Sequence, residues 1–351
     1  MNGVAYRRIG HRDGVAYLER ARTGRLTDQP ARVVIAPLVV GVCRSDLREL
    51  DGTRHLRRDF GHEIVAEVRY STLADTLPVG RRVVLDPHPV VRRTSGFADL
   101  VEIEGTVADV AAALRPVPAD SDPLAALFTE PLACAAHCLA RVDAVIAATA
   151  HARPSPVAVV GAGIAGTLMA GILRSRGTEV HLVNRGGQRL RFLAERDVLP
   201  GVDLHPADRP GRGGFACVVL ATAAATGAAL ELAAGLTGDD GVLMIYAGTE
   251  PGSRFLGQDI DAIRRGEGRV TVHDGRRRMH LAGSHGATAA DFAVATRLLQ
   301  DRREGPALRR TVRRLIDVEA PLDEGPALLR EMVSRPYVGK AVLTPGVPDR
   351  G

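Results

Sequence analysis

Three side chains able to bind a metal fall close together in the N-terminal third of the sequence. Cys43 lies in Val40-Gly41-Val42-Cys43-Arg44-Ser45-Asp46, and nineteen residues after it come His62 and Glu63 in Gly61-His62-Glu63. A thiolate, an imidazole and a carboxylate are the ligand types that hold a catalytic zinc with one position left open. Each has an ordinary reading by itself, as a small core cysteine or a surface His-Glu pair. Their combination in a chain with a dinucleotide motif singles them out.

That second motif is Pro156-Val157-Ala158-Val159-Val160-Gly161-Ala162-Gly163-Ile164-Ala165-Gly166, a strand followed by GxGxxG and the start of a helix. Gly161 allows the tight turn, Gly163 lets backbone N–H groups approach a pyrophosphate, and Gly166 lets helix and strand pack closely. Ile164 and Ala165 open the helix, whose first N–H groups and positive dipole end face the phosphates. Where an NAD enzyme carries Asp or Glu for the ribose 2′-OH stands Asn184, followed by Arg185. An uncharged amide beside a guanidinium removes repulsion against a 2′-phosphate and supplies a planar partner for it, which favours NADP(H) over NAD(H). The other reading has Arg185 stacked on the adenine and Asn184 bonded to an NAD ribose. Ala221, Thr222, Ala247 and Gly248, at the ends of later strand-like runs, are further candidate cofactor contacts.

The elements that position these residues change texture along the chain. Up to about residue 122, short β-branched runs (Val33–Ala36, Ile64–Val68, Arg82–Leu85, Asp99–Ile103) are bounded by Gly, Pro and Asp. A turn-rich stretch, Arg115–Pro118 and Asp120–Pro123, then reads as a junction. Beyond it, apolar strands (Val157–Val160, Glu179–Val183, Cys217–Ala221, Val242–Ala247) alternate with helical patterns (Ile164–Arg174, Ala224–Leu236), which implies βαβ units and a parallel sheet. After about Asp301 the pattern is mixed, with a helix-like Gly325–Val333 and a terminal strand Lys340–Leu343. The expectation is an α/β protein with domains at 1–122, 123–302 and a return segment at 303–351.

Composition excludes several classes. In 351 residues, 45% hydrophobic and 25% charged, there is ample material for two globular cores, and disordered or fibrous classes are out. Aromatics are 3% with no Trp, so base-stacking on exposed rings is not expected. The net charge of +5 comes from 46 basic residues against 41 acidic ones, all basic residues but Lys340 being Arg. They are interleaved with acids, the pattern of a solvated surface, and no nucleic-acid partner is expected. Four cysteines make no disulfide framework, and residues 1–20 contain no continuous apolar stretch of a signal peptide. The apolar run Val157–Leu173 is 17 residues with four glycines, short of the roughly 20 a membrane span needs. No membrane partner and a cytoplasmic location are expected.

The motifs together resemble the zinc-dependent medium-chain dehydrogenase/reductase family, in particular its polyol and sugar dehydrogenase branch. The matching pieces are GVCRSD (41–46), GHEIVAEV (61–68), GFADLV (96–101), TEPLACAAH (129–137), VVGAGIAG (159–166) and LAGSHGAT (281–288), in the family's order. The resemblance implies a Rossmann doubly wound parallel sheet domain and a GroES-like β-barrel catalytic domain completed by the final segment. It implies that Cys43, His62 and Glu63 are the ligands of one catalytic zinc, with Glu130 at or beside the metal. Ser45 matches the family's proton-relay hydroxyl; its other reading is a turn-forming side chain. Arg48 stands where some relatives have a relay His and, always protonated, would steer or bind substrate instead. Asp46 reads as a loop stabiliser.

Glu130, Cys134 and Cys138, spaced i, i+4, i+8, share one face if their segment is helical. Cys134 reads as packing, and Cys138 and Cys217 as core. The family's four-cysteine lobe for a structural zinc is absent: residues 86–95 are DPHPVVRRTS, and His88 reads as a loop residue. Basic residues at Arg54, His55, Arg57 and Arg58 read as a solvated loop or as a contact for a hydroxyl-rich or anionic substrate. The expected activity is hydride transfer between NAD(P) and a secondary alcohol or ketone of a sugar, polyol or cyclitol, in a homodimer or homotetramer.

Overall fold

The structure, a computed structural model, describes residues 2–53, 59–149, 156–275, 277–303, 305–335 and 337–346. Two units emerge: Met1–Glu130 with Ile316–Gly351, and Pro131–Leu315. Both boundaries lie beyond the expected 122 and 302. The helix Pro123–Ala126, N-capped by the Asp122 side chain, packs on the strand Ala31–Gly41 and keeps residues 123–130 with the first unit. At the other end, the helix Gly305–Leu315 packs on Ala289–Gln300 and Ile164–Ser175, and Thr311 Oγ1 donates to the Val198 carbonyl. Those contacts hold residues 305–315 in the second unit.

The first unit is a β-structure around the strand Ala31–Gly41, antiparallel except where Ile316–Pro321 pairs parallel with Lys340–Thr344. Its sheet runs in the order Ile316–Pro321, Lys340–Thr344, Ala31–Gly41, Glu63–Ser71, Arg82–Leu85, Leu114–Pro116, and Val101–Gly105 pairs with the early half of the central strand. That strand is longer than the expected Val33–Ala36 because Pro37, which lacks an N–H, falls at a register shift against Glu63–Ser71 where no ladder bond is needed. Near its end, Gly41 faces Glu63 on one side and Val342 on the other. Ile35, Ile64, Leu85, Phe97, Leu100, Ile103 and Leu343 belong to one apolar core. A hairpin, Ala5–Arg12 with Val15–Arg22, precedes it; its turn at Asp13-Gly14 has both φ values positive, the twist a two-residue hairpin requires.

In the second unit the seven strands run Asp203–Pro206, Val180–Asn184, Val157–Val160, Phe215–Leu220, Thr237–Ile245, Arg277–Gly283, Arg269–Asp274, and only the last pairing is antiparallel. Sheet growth reverses between Val157–Val160 and Phe215–Leu220, the switch point at which such sheets bind ligands outside their carboxyl ends. Val157–Val160 is buried throughout, as a central parallel strand covered on both faces must be. The helix after Phe215–Leu220 begins at Gly227 rather than Ala224, since Thr226 caps it by accepting from Ala229 N. Thr129–Ala148, 20 residues, has the length and apolarity of a membrane span, yet 56% of its most apolar stretch is buried within the fold.

Candidate functional site

Cys43, His62 and Glu63 each bring one donor atom to within 4.8 Å of the other two. The backbone explains the meeting. Cys43 follows the strand ending at Gly41 and caps the helix Arg44–Leu50, while Glu63 pairs with Gly41 in the antiparallel register. A side chain at Gly41 would collide with the Glu63 carboxylate, so the glycine leaves that carboxylate its place.

Asp46 does more than stabilise a loop. Buried at 2% exposure, it accepts from Cys43 N (3.0 Å) and Gly61 N (2.8 Å), and its Oδ1 lies 3.1 Å from His62 Nδ1. This arrangement ties the cysteine and histidine segments together and turns the other imidazole nitrogen toward the donor set. Burial opposes the charges of this pair, but their attraction outweighs it. The His62 pKa is held well above its ordinary value, and Asp46 falls below the usual carboxylate range, helped by the two N–H groups.

Lys340 is the residue the sequence reading left unassigned. It is 2% exposed, forms an ion pair with Glu63 Oε2, and donates to the Val42 carbonyl at 3.2 Å. Burial opposes its charge, but Glu63, Cys43 and Glu130 more than compensate and raise its pKa. A signal was available: in a chain that otherwise uses Arg throughout, one lysine marks a position where the longer, forked guanidinium does not serve.

Glu130 stands outside the donor set but interacts electrostatically with His62, Glu63, Lys340 and His88. Withdrawal from water raises its pKa against the pull of His62, and the Glu63 carboxylate adds to the rise. His88 is more than a loop residue: its Nδ1 lies 2.9 Å from Asp86 Oδ1, which also accepts from the His88 backbone N–H. Its charge interacts with Glu130 and His62. Ser45 is half-buried and its hydroxyl makes no hydrogen bond among the described residues, which leaves the turn-forming reading without a contact. Arg48 donates to the Thr53 carbonyl at 3.1 Å. Arg54, His55, Arg57 and Arg58 lie outside the described residues.

The glycine motif makes a tight turn that is crowded at its first and third glycines and open at its second. Gly161 has φ +114°, and a Cβ there would come 2.7 Å from the Ala221 carbonyl; one on Gly166 would collide with the Gly161 carbonyl oxygen. Nothing lies within 4 Å of where a Cβ on Gly163 would be. The half-exposed Gly163, Ile164 and Ala165 begin the helix Ile164–Ser175, whose first N–H groups have no intrahelical acceptor. Ala221 and Thr222 follow the strand Phe215–Leu220, and Ala247 and Gly248 follow Thr237–Ile245, so all four stand at carboxyl ends of the parallel sheet.

Asn184 makes two hydrogen bonds within the chain. Its Oδ1 accepts from Ala162 N at 3.1 Å and its Nδ2 donates to the Gly186 carbonyl at 2.8 Å, which braces the glycine turn against the next strand end. Arg185 beside it is exposed. Cys134, Cys138 and Cys217 are buried, and burial pushes the Cys138 thiol up to about 12.

Neither known protein families nor curated proteins show a match to this sequence. Solved structures do. The chain is similar to Staphylococcus aureus TarJ in complex with NADPH (16% identity, TM-score 0.72, covering 97% of this chain and 99% of that one). It is similar to galactitol-1-phosphate dehydrogenase from Escherichia coli (17%, 0.71, 98% and 100%) and to alcohol dehydrogenase TADH from Thermus sp. ATN1 (18%, 0.72, 99% and 100%). With a unit built on a mostly parallel sheet, a largely antiparallel unit completed by the C-terminal strands, and these neighbours over nearly its whole length, the chain has the fold of the medium-chain alcohol and polyol dehydrogenases.

Proposed function

We propose that this protein is a zinc-dependent oxidoreductase that exchanges a hydride between NADP(H) and a secondary alcohol or ketone of a sugar, polyol or cyclitol. The observation that carries the reading is the convergence of Cys43, His62 and Glu63 on one spot, braced by Asp46, in a chain that also carries the glycine cradle at a sheet switch point. A thiolate, an imidazole and a carboxylate fit zinc. The open space beside Gly163 and the unbonded helix N–H groups fit a pyrophosphate.

When bound, zinc supplies Lewis-acid polarisation of a substrate C–O bond and the nicotinamide supplies hydride chemistry. The chain's own residues do the rest. Cys43, His62 and Glu63 hold the metal, with Glu130 beside it, and Asp46 orients His62. Lys340 balances the buried charge of Glu63 and holds its carboxylate toward the strand end. The Ser45 hydroxyl would relay the substrate proton, accepting it at Oγ while giving up its own O–H proton to solvent, and Arg48 donates to the Thr53 carbonyl. Gly161, Gly163, Ile164, Ala165 and Gly166 receive the pyrophosphate, with Ala221, Thr222, Ala247 and Gly248 along the other strand ends. Arg185 meets the 2′-phosphate, and Asn184 supports the turn. TarJ with NADPH and galactitol-1-phosphate dehydrogenase, among the neighbours, support the cofactor and the polyhydroxylated substrate class. We place the protein in the cytoplasm as a homodimer or homotetramer.

Elemental mass spectrometry of chelator-free protein, paired with NADPH oxidation across a panel of ketoses and cyclitol ketones, tests this. A Cys43→Ala variant should lose one zinc per chain and all turnover while still binding NADPH. Turnover that survives loss of that zinc would overturn the reading in favour of a zinc-free reductase of the same fold.

A further inference from the structure

A second group of metal-ligand side chains lies in the nucleotide-binding unit, on the strands Val180–Asn184 and Asp203–Pro206. We propose that His181, His205 and Asp203 form a second divalent-metal site, of the zinc class, that staples the edge strand of the parallel sheet to its neighbour. It is independent of the Cys43 centre.

The parallel register pairs His181 with Asp203 and Val183 with His205, so the two histidines stand diagonally across adjacent strands. One donor atom from each of His181, Asp203 and His205 lies within 4.8 Å of the other two. His181 Nδ1 and His205 Nε2 are 3.0 Å apart. Two nitrogens on one tetrahedral zinc at roughly 2.0–2.1 Å each lie about 3.3–3.4 Å apart, so seating the ion needs this pair to open by only a few tenths of an ångström.

The outer contacts fit a metal ligand as well. His181 is buried, and its Nε2 lies 3.0 Å from Glu179 Oε1. A ligating histidine typically donates its far N–H to a carboxylate, which fixes the tautomer and leaves the near nitrogen's lone pair for the metal. His181 Nε2 faces carboxylates, Glu179 Oε1 at 3.0 Å and Asp203 Oδ2 at 3.8 Å, which leaves Nδ1 as the nitrogen toward His205. Phe215 packs edge-on against the His181 ring at 5.0 Å and holds its orientation, and Arg212 flanks Glu179 at 3.8 Å. Two imidazoles and a carboxylate select Zn2+ or a neighbouring first-row divalent ion over Mg2+ or Ca2+.

The position gives the site its role. His181 is the second residue of the strand that ends at Asn184, the residue bracing the glycine turn, so a metal here would fix the far end of that strand. The family's structural-zinc cysteines are absent from residues 86–95, and this would be a metal staple of different chemistry in a different unit.

Zn2+ alone is the probe, added to chelator-stripped full-length protein at one to three equivalents and followed by calorimetry and elemental analysis. Cys43→Ala should still bind one equivalent, with a raised thermal midpoint. Cys43→Ala/His205→Ala should bind none, and Asp203→Asn, at an exposed side chain, should weaken the remaining site at least tenfold while NADPH binding reports an intact fold. The inference is overturned if Cys43→Ala binds no Zn2+ at these ratios, or if adding His205→Ala leaves the stoichiometry and midpoint unchanged. Loss of metal on going from wild type to Cys43→Ala reads the proposed catalytic centre separately, so either site can fail without the other.

Discussion

Replacing Asp46 with Asn separates two roles for this residue. The carboxylate serves three partners, Cys43 N, Gly61 N and His62 Nδ1, from a position 2% exposed. Asn keeps one acceptor oxygen and turns an NH2 toward whatever met the other, so at least one charge-assisted bond is lost, at about 1.5–3 kcal/mol of folding stability. The imidazole also loses its anionic partner. Removing a group that orients a metal-bound histidine costs roughly 10–100-fold in metal affinity, equivalent to about 1.4–2.7 kcal/mol. The assay is competition for Zn2+ against a chelator of known affinity, on wild type and D46N, alongside denaturant unfolding. The expected result is loss on both axes, with weakened metal binding persisting where D46N is fully folded. If stability falls and metal affinity stays within twofold of wild type, Asp46 only braces the loop and the reasoning fails.

Other substitutions probe the remaining contacts. Gly161→Ala puts a Cβ 2.7 Å from the Ala221 carbonyl at φ +114° and should cost about 1–3 kcal/mol in strain, while Gly163→Ala, facing open space, should leave stability near wild type and weaken NADPH binding; equal effects of the two on thermal midpoint would refute the cradle geometry. Arg185→Ala should reduce the NADP-to-NAD preference by about 10-fold or more, since one charge-assisted phosphate contact is worth about 1.5–3 kcal/mol; an unchanged ratio of dissociation constants would return Arg185 to the adenine-stacking role. Lys340→Met strands the Glu63 charge in the interior and should destabilise the metal-free protein by about 3–5 kcal/mol, measured by urea unfolding. Because the folded pKa of Lys340 is raised, its contribution is complete below the ordinary lysine pKa of about 10.4 and is lost as pH rises through the folded value. Wild-type stability should therefore decline at strongly alkaline pH with a component that Lys340→Met lacks.

Local chemistry made much of this protein legible from its residues alone. GxGxxG between an apolar run and a helical pattern can adopt few structures, because only glycine tolerates the turn at 161 and the close approach at 166. The alternation of buried strands with helices beyond residue 123 foretold the parallel sheet, since periodicity is a property of consecutive residues. That Cys43, His62 and Glu63 would come together could be expected from their types, because metal sites recruit few ligand types, and their donor atoms do converge.

What contacts between remote segments decide was not legible. Residues 123–130 stay with the first unit and 305–315 with the second because of the helices and strands they pack on, which no local turn signal records. Lys340 reaches Glu63, 277 positions away, only because its strand pairs with the strand that leads into Cys43. His181 and His205 meet only through the register of two strands separated by a helix. Types and spacings along a chain state which residues can do chemistry. Which of them share a charge, a proton or a metal is settled by strand register and burial, since electrostatic coupling depends on distance and dielectric in the folded interior.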